Sequence, residues 1–102
     1  MKHYNVYISN QADLDLIDLT SFIAVELKSP ITAKRYAIGI MSVIKKLKTS
    51  PESFAISTRA SVLKYGYNAR RINYKSHAII YTVNANNVFI EAIIPQGNIK
   101  GL

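Results

Sequence analysis

The 102-residue chain contains no cysteine. Disulfides and thiolate metal sites are therefore excluded, which suits a reducing compartment. No stretch is apolar for the length a membrane span needs, and the start, "MKHYNVYISN", has no apolar signal core. No internal repeat or low-complexity tract is present. Acidic charge is scarce. Thirteen Lys and Arg stand against six Asp and Glu, a net charge of +7. Residues 27–75 hold eleven basic residues and one acid, Glu52, whereas Asp13, Asp15 and Asp18 sit together near the start. Such a block attracts polyanions, either nucleic acid or an acidic protein segment. The plainer reading is a solvated surface that keeps the protein in solution. A soluble, cytoplasmic protein with no cofactor and no metal is the expectation. Its 49% hydrophobic content argues against a disordered chain, and its length fits one domain over 1–102.

What is present is periodic. In "HYNVYI" (3–8), Tyr4, Val6 and Ile8 share one face and His3, Asn5 and Tyr7 the other, as in a strand. Ser9 or Asn10 is placed to cap a helix, with Asp13 in its first turn. Over 11–28, Ala12, Leu16, Leu19, Ile23 and Leu27 recur at helical steps. Leu14, Ile17 and Phe22 widen that stripe beyond what one sheet face needs. "SP" then predicts a new helix, with Ser29 as cap and Pro30 in its first turn. Its stripe is Ala33, Tyr36, Ala37, Ile40, Ile44 and Leu47, with Met41 beside it as a core residue. Lys45, Lys46 and Lys48 suit its C-terminus. A short connection makes the two helices an antiparallel hairpin.

Residues 50–67 are irregular, with room for one helical turn or a short strand. Period two then returns. "ARRINY" puts Arg70, Ile72 and Tyr74 on one face and Arg71, Asn73 and Lys75 on the other. "HAIIYTVN" (77–84) reads as a central strand, with Tyr81 in the core. "NANN" reads as a turn, because Asn tolerates positive φ, and "VFIEAII" as the last strand. The expected class is α+β in the order β-α-α-β-β-β. A curled, mainly antiparallel four-stranded sheet carries the helical hairpin on one face. The first strand joins the sheet, which makes His3 a candidate neighbour of His77.

These motifs resemble the RelE/ParE superfamily of toxins from type II toxin–antitoxin modules. The likeness rests on "Y-x-V-x-I-S-x-x-A-x-x-D-L" from Tyr4, "SP-x-x-A-x-x-Y" from Ser29 and "R-x-x-Y-x-x-H-A-I-I-Y-x-V" from Arg71. It implies a bacterial growth inhibitor, of the kind found in plasmid-stabilisation modules, neutralised by a cognate antitoxin in a hetero-oligomer. Leu14, Ile17 and Phe22 are the candidate antitoxin contacts. Two activities divide the superfamily. RelE-like members are ribosome-dependent mRNA endoribonucleases; ParE-like members poison DNA gyrase, alone or in its DNA complex. Cleavage needs a base, an acid and cations around the phosphorane. The catalytic candidates here are Arg71, Lys75 and His77. Ala78 stands where the nucleases carry Arg, and "PQGNIKGL" offers only Lys100. The resemblance therefore leans to the ParE-like branch, acting by binding through Arg70, Arg71, Lys75, Lys45, Lys46 and Lys48. A degenerate toxin that only binds its antitoxin is the third reading.

Overall fold

A computed structural model describes residues 2–99. Lys100, weighed above as the last charge of the chain, lies outside the described residues. Strand β1 (Asn5–Ile8) leads into helix α1 (Asn10–Ser21), which continues as a π-helical turn over Phe22–Glu26. Helix α2 (Pro30–Lys46), a short helix α3 (Ala60–Leu63) and strands β2 (Arg70–Tyr74), β3 (His77–Asn84) and β4 (Asn87–Pro95) follow. The sheet order is β1-β4-β3-β2. The last three strands form an antiparallel meander, and β1 joins it parallel to β4. The expected α+β architecture is the one observed.

Ser9 ends β1 and starts α1. Its N–H donates to Ile90 O at 3.0 Å, and its Oγ accepts from Ala12 N–H at 3.0 Å. Asp13 follows in the first turn, where the helix dipole favours an acid. At the next helix Ser29 only precedes the start. Its hydroxyl bonds Thr32 Oγ1 at 2.6 Å rather than a backbone N–H, and Pro30 begins α2.

The hairpin packs on one sheet face. Ala12, Ile40, Ile44 and Leu47 meet Ile72, Ile79, Tyr81, Val88 and Ile90 there. Each large apolar side chain buried this way contributes about 1.5–3 kcal/mol. Tyr81 is fully buried, and its hydroxyl donates to Pro51 O at 2.6 Å. Burial pushes that phenol up to about 12.

The opposite face is not bare. Val62 of α3 and Ala69 cover Ala78, Ile80 and Ala92 in a second, smaller core. The irregular 50–67 region holds two short helical turns, Pro51–Ser53 and Ala60–Leu63, and in place of a strand a single bridge, Ile56 to Arg70.

Several sequence readings are corrected. Met41 is 42% exposed, because one step past buried Ile40 rotates it off the core stripe. Leu27 is also exposed, since the π-helical turn resets the helical phase before it. His3 precedes β1 at the Asn87 end of β4, whereas His77 pairs with Pro95 at the other end, so the histidines are not neighbours. In the last turn the positive φ (55°) falls on Ala85, not on an asparagine.

Candidate functional site: a groove between the helical hairpin and the sheet

A groove of about 680 Å³ opens between the hairpin and the end of the sheet. Leu19, Phe22, Ile23 and Leu27 form its apolar wall, with Asp15 and Asp18 beside them. Thr32 and Tyr36 enter from α2, and Ser76, His77, Ile93 and Pro95 from the sheet. The wall is open to solvent at Phe22, which is 52% exposed.

Tyr36 organises the polar end. Its hydroxyl lies 2.7 Å from His77 Nδ1 and 3.2 Å from Ser76 Oγ. The Tyr36 ring meets Tyr74 and His77 edge-on, with centroids 5.1 and 5.4 Å apart. Burial lowers the His77 pKa below its usual value. Asp15 has a different task. β1 stops pairing at Ile90, and Asp15 Oδ2 accepts the Ile93 N–H beyond it at 2.9 Å. That carboxylate caps a strand edge that would otherwise stay unpaired.

A second groove of about 560 Å³ lies between β1 and α2. Val6, Ile8, Ile38 and Met41 line it, and Lys45 and Lys48 edge it.

The candidate cations do not converge. Arg70 shares its face with Ile72 and Tyr74, as the alternation predicted, and its guanidinium donates to the carbonyls of Phe54 and Glu52. Arg71 points to the opposite face, where it pairs in register with Ile80. Lys75 is corrected. It occupies the two-residue turn between β2 and β3 with φ 51°, so it leaves the alternation of the strand. Its ammonium lies 5.5 Å from the Tyr74 ring centroid and 6.0 Å from that of Tyr36. Lys75 thus sits on the hairpin side with His77, away from Arg71. Lys46 is exposed on α2 and lines neither groove.

Among the candidate antitoxin contacts, Phe22 lines the large groove. Leu14 and Ile17 are 54% and 50% exposed on the outer side of α1. Sequence reasoning placed Tyr36 in the apolar stripe and missed its role at the groove. The available signal was that a half-buried tyrosine needs a partner for its hydroxyl. Among the described residues no helix is long and apolar enough to cross a membrane.

The fold has known counterparts. The toxin–antitoxin structure described as "Chromosomal ParDE TA system from P. aeruginosa" aligns with a TM-score of 0.74. The alignment covers 91% of this chain and 96% of that one, at 16% identity, so the likeness speaks for the fold alone. No curated protein sequence matches significantly. The model for "ParE toxin of type II toxin-antitoxin system, parDE" matches residues 6–99, nearly the whole chain. The chain belongs to the ParE toxin family of type II toxin–antitoxin systems.

Proposed function

We propose that this chain arrests bacterial growth from the cytoplasm by binding DNA gyrase or its DNA complex, not by cutting RNA. The observation that supports this is the separation of the candidate catalytic groups. His77 and Lys75 lie beside Tyr36 on the hairpin side, whereas Arg71 lies on the opposite sheet face. Ala78, where an arginine would be wanted, is fully buried in the second core. A phosphorane clamp needs its cations around one reacting atom. Basic residues spread over the surface instead favour association with a large polyanionic target.

A cognate antitoxin neutralises the toxin by covering the exposed apolar surface of the hairpin. Leu14, Ile17, Phe22 and Leu27 are each at least half exposed, more apolar surface than an isolated helix pair gains from leaving open. Lys45 and Lys48 at the second groove add attraction for acidic side chains of the same partner.

Induction of the chain alone in bacteria tests the reading. Growth arrest with an SOS response and intact mRNA is expected. Rapid mRNA fragmentation would contradict it and favour the endoribonuclease. Unimpeded growth would leave only an antitoxin-binding role.

A further inference from the structure

We propose that the sheet face turned away from the hairpin carries a binding site for an unpaired base of a single-stranded nucleic acid. The inference stands on this face alone and does not depend on gyrase being the target.

The site begins with a β-bulge. Tyr81 pairs with Ile90 and Ile80 with Ala92, which leaves Glu91 as the extra residue on β4. Glu91 follows Phe89 onto the face of Thr82, whose Oγ1 donates to Glu91 Oε2 at 2.8 Å, and the bulge keeps Ala92 on that face beside it. The 65–68 loop closes on the same spot. A Cβ on Gly66 would lie 2.8 Å from Thr82 Cγ2, so only glycine permits that approach. Asn68 Nδ2 fixes the loop by donating to Val83 O at 3.0 Å. The result is a pocket of about 290 Å³, room for one flat ring system.

Its walls are aromatic. Tyr65, Tyr67 and Phe89 line it, and Tyr7 stacks on Phe89 with centroids 5.6 Å apart and planes at 21°. Tyr67 is 91% exposed and so contributes little to the core. Its floor and rim accept hydrogen bonds. Among the described residues, Glu91 Oε1 and Asn68 Oδ1 have no partner. Aromatic faces suit the faces of a base, and these acceptors suit its N–H edges. Cations stand outside the acid. Lys64 Nζ lies 5.1 Å from the Tyr65 ring centroid, and Arg71 is on the same sheet face. The carboxylate would therefore meet the base and the cations the phosphates. A duplex hides its base faces, which selects for a single strand.

The test is fluorescence anisotropy of the full chain with labelled oligonucleotides of about ten nucleotides. The probes are single-stranded DNA, the same sequence as RNA, and the DNA duplex, at physiological salt. Single strands are expected to bind more tightly than duplex. Tyr67→Ala should weaken single-strand binding by roughly five- to a hundredfold, as loss of one stacking partner does, with an unchanged melting temperature. Phe89→Leu should weaken it too. Whichever of DNA or RNA binds more tightly identifies the source of the strand. Equal affinity for single strand and duplex, insensitive to both substitutions, would overturn the site and leave a merely basic surface. Absence of binding to every probe would overturn it as well.

Discussion

The Tyr36 hydroxyl lies 2.7 Å from Nδ1 of His77 and joins the second helix to the first residue of the central strand. The bond spans 41 positions in sequence. It holds the open end of the groove, beyond the core where Ile40 and Ile44 pack against Ile79 and Tyr81. Tyr36→Phe keeps the ring and removes the bond. The expected loss is about 0.5–1.5 kcal/mol, at the lower end because water reaches the half-buried His77. Urea unfolding measures it; an unchanged midpoint would show that the bond does not stabilise the fold.

His77 also makes stability depend on pH. Burial lowers its folded-state pKa below the ordinary 6.5. The unfolded chain therefore takes up the proton first as pH falls. The His77 contribution is fully present above about 6.5 and is lost as pH falls through the lowered folded value. Melting curves between pH 8 and pH 5 should show a decline that His77→Gln reduces. An identical pH profile in that variant would contradict the assignment.

Gly39 lies in the middle of α2, where alanine ordinarily stabilises a helix by about 1 kcal/mol. Here a Cβ would fall 1.9 Å from Tyr74 Oη and 2.2 Å from its ring carbon. That ring is backed by Tyr36, so it must leave its place. Overpacking of this kind costs about 1–3 kcal/mol, which outweighs the helix gain. Gly39→Ala should be destabilising in the native sequence and stabilising in a Tyr74→Ala background. Additive effects in a double-mutant cycle would contradict the contact.

Arg70 and Arg71 are adjacent yet have opposite tasks. Arg70, Tyr81 and Tyr4 together hold the 51–54 segment, through the carbonyls of Phe54 and Pro51 and the carboxylate of Glu52. That carboxylate raises the Tyr4 pKa. The Arg71 side chain has no hydrogen bond or ion pair among the described residues. Arg70→Ala should cost about 1 kcal/mol and Arg71→Ala less than about 0.5. Equal losses in thermal melting would contradict the division.

The fold was legible where one periodicity ruled a whole segment. Ala33, Ile40 and Ile44 fell inward as their spacing required, and so did Ile72 and Tyr81. Legibility failed where the period broke. The π-helical turn at Phe22–Glu26 moved Leu27 outward, and the left-handed backbone at Lys75 sent its side chain to the other face. No residue type announces either event, since lysine is an unusual choice for positive φ. The groove was half legible. Phe22 was read as surplus apolar surface, but its meeting with Tyr36 and His77 depends on contacts distant in sequence. The bulge at Glu91 was invisible for the same reason: it exists only in the pairing of β4 with β3.

The central claim is that the toxin acts by binding gyrase. Its most direct test is a supercoiling assay with purified gyrase and relaxed plasmid, with an mRNA substrate translated on ribosomes in parallel. The account predicts inhibited supercoiling, accumulated gyrase–DNA covalent complex and intact mRNA. Normal supercoiling together with cleaved mRNA would contradict it.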